Sequence, residues 1–376
     1  QGILLPLVQK LLNTGVKAEK ITVLVATGTH RMLSKQELQG MIDPEVFRLG
    51  VSIHVHDCRK DPLTHLGKTS RGSEVHINSM YLEADIKILT GLVESHFMAG
   101  ASGGRKSICP GLIGEESTYI FHGAPMVADP NVRDLLLEGN PCHEEALEFA
   151  KMAGADFIIN VTLDSSLRLT GVFTGDLEEA HEAAVDHLKG YTAISLSREY
   201  DLVITHGGFV GINHYQAAKA ATAASTAARS GGYVVLAANN TDTDPIGSTR
   251  YRAGLQLLKV VGPAAFDRMV LSPDWTFIPD QWEVQLWGKV FKKVPQDHFF
   301  YYSPQFTEKE YRIIPGRSGS NSLTGGRRDK EPSTVKMIIE ACVETALEEL
   351  RKKGVSSPSI LYLQDGPYGI PVRDFS

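Results

Sequence analysis

The chain has 376 residues, 42% hydrophobic and 22% charged, with a formal net charge of -6 at pH 7. That balance describes a globular protein long enough for two domains, and it excludes a disordered chain or a strongly basic nucleic-acid binder. No uncharged apolar run reaches the length of a membrane span. A small molecule is therefore the expected partner, rather than nucleic acid or a membrane. Cys58, Cys109, Cys142 and Cys342 are scattered without a Cys-x-x-Cys pair, the usage expected of reduced thiols in a cytoplasmic protein.

In chain order, "QGILLPLVQKLLNTG" reads as an amphipathic helix and "ITVLVAT" (21–27) as a buried strand. Ser34 and Glu37 have the spacing of a capping box at a helix start. Strands follow at 84–92 and 155–163, then a hairpin return in "SSLRLTGVFTGD" and the helix "LEEAHEAAVDHLKG". The pattern restarts after "YTAISLSRE" (191–199), which places a linker there and predicts two domains, 1–192 and 198–376. The second half continues with the strand "YDLVITHGG", an alanine-rich helix in "NHYQAAKAATAASTAARSGG", the strands "YVVLAAN", "HFFYYS" and "SILYLQDG", and a long helix near 333–353. "PGRSGSNSLTGGRRDKEP" (315–332) has no apolar periodicity and reads as a surface loop. Strands alternating with helices indicate an α/β class, each domain having a mainly parallel sheet flanked by helices.

Ligands of open parallel sheets sit beyond the carboxyl ends of the strands, where His30, His96 and His206 all fall. "ESHFMAGASGGRKSICPG" sets backbone amides and the cations Arg105 and Lys106 on a flexible turn suited to a phosphate. It lacks the glycine directly before lysine that a P-loop requires, so Lys106 is expected on an extended piece of chain, where an amine reaches an electrophile. The ordinary reading of this stretch is a solvated basic turn. His30 in "ATGTHR", His96 in "ESHF" and His122 in "YIFHGAP" each also read as common, satisfied histidines, and no spacing marks a zinc site. Gln216 and Lys219 of "NHYQAAKAA" share a helix face at a positive helix start, where a carboxylate fits; an exposed lysine on an alanine helix is the alternative. Trp282 in "IPDQW" reads as core, and Arg250 and Arg252 as a specificity loop or a charged surface.

Together "ATGTHR", "ESHFMAGASGGRKSICPG", the histidine of "YIFHGAP", "YQAAK" and "IPDQW" resemble the nickel-pincer lactate racemase family, in the same order through essentially the whole chain. The resemblance implies two α/β domains with the active site in the interdomain cleft, and a racemase or epimerase of 2-hydroxy acids acting by reversible hydride transfer. The implied cofactor is a nickel-pincer nucleotide, pyridinium-3,5-bisthiocarboxylic acid mononucleotide nickel, covalently attached to Lys106. Gly103, Gly104, Arg105 and Trp282 would surround it and His122 would coordinate the metal. His30 and His96 would be the two acid/base groups, with Tyr215, Gln216 and Lys219 binding substrate. Cofactor biosynthesis and nickel-insertion proteins are the implied partners, and protein made without them is the apo form. Family members carry an Asp-x-Thr-Arg segment ahead of these motifs; nothing here corresponds, and it is expected upstream of Gln1. The alternatives are a nicotinamide-dependent 2-hydroxy acid dehydrogenase, for which no G-x-G-x-x-G turn is convincingly placed, and a non-catalytic nickel-nucleotide binding protein, which has no use for two opposed histidines.

Overall fold

The structure is a computed structural model that describes residues 2–164, 166–320 and 334–373. It divides into two compact units, Gln1–Gly190 and Tyr191–Ser376. In the first, the opening helix Leu4–Asn13 buries Val8 against Ile21, Ile42, Val46 and Val51, a small core beside a parallel pair of strands, Thr22–Val25 and Ser52–Val55. The strand predicted over 21–27 stops at Val25, which leaves residues 26–30 as a turn at its carboxyl end. The capping box forms as expected. Ser34 Oγ accepts from the Glu37 amide at 3.2 Å, and Glu37 returns a carboxylate oxygen to the Ser34 amide at 2.8 Å.

A second sheet pairs Ile88–Leu92 in parallel with Phe157–Leu163, which turns back antiparallel as Leu169–Gly175. Along Phe157–Leu163 every second side chain, Ile158, Asn160 and Thr162, is buried. Two polar residues, Asn160 and Thr162, thus occupy inward positions of an otherwise apolar strand. The hairpin Leu63–Lys68 with Glu74–Asn78 is an element that sequence periodicity did not announce. Its first strand mixes exposed and half-buried positions without clean alternation.

The second unit holds a five-stranded parallel sheet in the order Arg317–Ser318, Phe299–Tyr302, Ala228–Ala237, Tyr200–His206, Ile360–Tyr362. Alternation along the strands separates its two faces. Leu202, Tyr233, Val235 and Phe300 pack on Ile338, Cys342, Ala346 and Leu350 of the helix Val335–Lys352. Residues of the opposite parity, Phe299 and Tyr301, meet Trp287 and His214 instead. The helix His214–Ala227 buries seven alanines, and such short side chains let its backbone lie close to the sheet. The stretch expected as a linker is not one throughout: Ala193–Leu196 forms a strand parallel to Ile370–Arg373. Of the predicted surface loop at 315–332, residues 321–332 lie outside the described residues. Among the described residues no helix is long and apolar enough to cross a membrane, and all four cysteines are buried free thiols.

Because Ala221 is fully buried on the close-packed helix, Ala221→Leu is expected to overpack this face and lower stability by about 1–3 kcal/mol. Urea denaturation of the purified chain reads this as a lower midpoint.

Candidate active site

Within the first unit, the turn after Thr22–Val25 is fastened to two neighbours. Thr27 Oγ1 donates to the His56 carbonyl at 2.5 Å, and the Gly28 amide donates to the Gly111 carbonyl at 2.9 Å. Gly28 has φ +58°, and a Cβ there would stand 3.0 Å from the Pro110 carbonyl oxygen. This contact sets the "ATGTHR" turn directly against the "CPG" turn that follows Lys106. His30 is exposed at its end.

His96 closes the two-residue strand Ser95–His96, paired antiparallel with Gly100–Ala101. Its Nδ1 accepts from the amides of Met98 and Ala99, each at 3.2 Å. An Nδ1 used as acceptor carries no proton, so in the neutral ring the proton is on Nε2. In this conformation His96 offers an N–H donor, and taking up a second proton requires Nδ1 to release the two amides.

The glycine-rich stretch is not the flexible, extended loop its composition suggests. Gly104–Ser107 is a single tight helical turn, and Lys106 is half-buried on it. Gly103 has φ +76°; a Cβ on it would lie 2.6 Å from Val93 Cγ2 and 2.8 Å from Asn160 Oδ1. The Gly104 amide donates to that same Asn160 oxygen at 2.9 Å. Arg105 departs from the expectation that its charge faces a ligand. It is 1% exposed, donating to the Ala99 carbonyl at 2.6 Å and to His181 Nε2 at 2.8 Å. Burial pulls its pKa down to about 9. The arginine thus ties the Lys106 turn from below to Ala99, the residue whose amide holds His96.

His122 follows the short helix Thr118–Phe121 and is buried. Burial first, then the charges of Lys106 and His30, hold its pKa at about 3. Those two contributions place Lys106 and His30 in its electrostatic neighbourhood. The imidazole is therefore neutral, the form that ligates a metal, and imidazole suits nickel. Among the described residues no group of three or more His, Cys, Asp or Glu side chains forms a metal cage. What the chain offers here is a single imidazole beside an amine.

In the second unit, Asn213 caps the helix His214–Ala227 by accepting the Gln216 amide at 2.8 Å, and Tyr215, Gln216 and Lys219 are half-buried on its first turns. Trp282 is 7% exposed and donates Nε1–H to the Tyr215 hydroxyl at 2.8 Å, joining the "YQAAK" and "IPDQW" segments. Arg252 is occupied: it pairs with Asp244 and donates to the Gly247 carbonyl at 3.0 Å, whereas Arg250 is exposed. His206 is structural, bonded to the Gln364 carbonyl at 2.8 Å and accepting from the Gly208 amide at 3.1 Å.

Residues 1–134 match the lactate racemase N-terminal domain and residues 197–297 the lactate racemase C-terminal domain. The chain belongs to the lactate racemase family. A lactate racemase of Lactiplantibacillus plantarum is 32% identical over 292 residues, 77% of this chain and 68% of that protein. One of Thermoanaerobacterium thermosaccharolyticum is 32% identical over 293 residues, covering 77% and 67%. The lactate racemase apoprotein structure from the latter organism shares the fold, with a TM-score of 0.82 at 24% identity over 99% of this chain and 82% of that one. A Thermotoga maritima crystal structure aligns with a TM-score of 0.64 at 15% identity, over 97% and 88%. As a member of the lactate racemase family the protein is an isomerase.

Motif reading named Lys106 and His96 but missed the residues that support their turns. Asn160 had a signal, a polar residue at an inward strand position. His181 had none, since it stands in a helix rich in charge.

His214, in the first turn of its helix, is 1% exposed, and burial alone lowers its pKa to about 3. The unfolded chain binds that proton near the ordinary histidine value of 6.5, the native chain only near 3. The stability this neutral ring contributes is thus fully present above 6.5 and falls as pH drops toward 3. His214→Gln is expected to flatten the acid limb of a stability-versus-pH curve by about 1.4 kcal/mol per pH unit in that window. Urea titrations at several pH values check it.

Proposed function

We propose that this protein inverts the hydroxyl-bearing carbon of a 2-hydroxy acid, lactate being the substrate its curated relatives are named for. The observation that carries the reading is the convergence in the first unit of His30, Lys106 and a neutral, buried His122. The donor set fits a nickel-pincer nucleotide. Lys106 would tether it, with Gly103 and Gly104 leaving the tether turn without side chains, and His122 would ligate the metal. When bound, such a group supplies a hydride acceptor, so the carbon–hydrogen bond breaks without leaving negative charge beside a carboxylate.

The remaining work falls to the chain. Gln216 and Lys219 bind the substrate carboxylate at a helix start, where the backbone already favours an anion. Tyr215 and Trp282, hydrogen-bonded to each other, make a fixed aromatic wall. His30 accepts the hydroxyl proton, and His96, as the imidazolium formed once Nδ1 has released its two backbone amides, delivers its Nε2 proton to the substrate oxygen on the opposite face and ends neutral with the proton on Nδ1. Reversal of the reaction exchanges these roles, His96 then accepting at Nε2. Arg105 takes no part in binding the cofactor's charge; it braces the turn that carries the tether.

The test is protein co-produced with cofactor biosynthesis and nickel-insertion enzymes, read by intact mass, metal analysis and racemisation of lactate. The wild type is expected to carry a mass adduct and nickel. Lys106→Ala should lose the adduct, and His122→Ala should lose nickel. His30→Ala and His96→Ala should each lose about 100-fold or more in turnover. Full racemisation by Lys106→Ala would overturn the reading.

A further inference from the structure

One buried acid in the second unit has no part in the chemistry above. Glu283 follows Trp282 in the first turn of the helix Gln281–Lys293 and is 2% exposed, and its Oε1 has no hydrogen-bond partner among the described residues. A buried carboxyl left incomplete is costly and calls for a reason. The groups that face it are few. Lys219 and Tyr215 come from the helix His214–Ala227, Tyr251 from the helix Thr249–Val261, and Asp280 from its own helix start. Asp267, on the helix Pro263–Val270, pairs with Lys292 near the far end of the Glu283 helix.

Lys219 is the other half of the question. It is half-buried, and among the described residues its ammonium forms no ion pair or hydrogen bond, although Glu283 is close enough to feel its charge. An acid and an ammonium thus stand in one low-dielectric neighbourhood without being joined.

We propose that Glu283 is a positioning residue that gates the anion site: uncharged, it leaves the Lys219 ammonium to a substrate carboxylate, and ionised, it takes that ammonium for itself. The inference rests on the reading of Lys219 as the carboxylate contact. Burial raises the proton affinity of Glu283, and Asp280 adds to the effect while Lys219 opposes it. That shift favours the uncharged form, which leaves the Lys219 charge at the site for an anionic ligand. Above the titration of Glu283 the competent fraction falls tenfold for each pH unit, and apparent affinity for a carboxylate falls with it.

The experiment is calorimetric binding of oxamate, an unreactive mimic of the keto acid, to the cofactor-loaded full chain across neutral to alkaline pH. Wild-type dissociation constants are expected to be flat and then to rise about tenfold per pH unit, whereas Glu283→Gln should stay flat over the same range. A second measurement needs no variant: in two buffers of different ionisation heat, wild-type binding above the titration should take up close to one proton. Identical profiles in both proteins, a flat wild-type profile, or no proton uptake at any pH would overturn the gate. Unchanged oxamate affinity in Lys219→Ala would instead overturn the carboxylate-contact reading, a separate failure.

Discussion

The geometry of the first unit depends on how closely the turn 103–107 lies on the inner face of the sheet. Gly103 comes so near Val93 and Asn160 that no Cβ fits, and the Asn160 carbonyl oxygen holds the next amide. Beneath the same turn Arg105 spans to His181 and Ala99. A lysine is a flexible side chain with a costly entropy of ordering. Anchoring its backbone from two sides leaves only the side chain to be positioned. The same bracing reaches His96 through Ala99, so Lys106 and His96 share one support.

Desolvation decides the protonation states on both units. His122 is kept neutral chiefly because it is buried, with Lys106 and His30 adding to the effect. That suits a metal ligand and disfavours an acid/base role, which needs a group titrating near working pH. His30 is exposed, where an imidazole keeps access to solvent protons. Burial rather than residue type thus separates His122 from His30. In the second unit burial acts on a carboxyl instead, raising the proton affinity of Glu283 in the neighbourhood of Lys219.

Packing in the second unit explains where Tyr215, Gln216 and Lys219 stand. The alanine face lets the helix His214–Ala227 sit low on a parallel sheet, with its amino end beyond the strands' carboxyl ends, where such sheets bind ligands. The helix Gln281–Lys293 then closes over it, and the Trp282–Tyr215 bond fixes their relative rotation.

Much of the architecture was legible from periodicity: the opening helix, the long strands at 157–163 and 200–206, the hairpin return, the alanine helix and the helix Val335–Lys352 all follow from apolar spacing. Ordered motifs marked the family, because they recur in one order through essentially the whole chain. Composition misled at the lysine turn, since small residues signal freedom in an isolated chain but permit close packing in a folded one. It misled again at Arg105, whose burial no local pattern announces. The chain's own spelling determined element types and the motifs that mark the family, which are local properties. Only the tertiary structure decided which of them are dry, which nitrogen of His96 carries the proton and which acid stands beside Lys219, because desolvation and hydrogen bonding are set by neighbours distant in sequence.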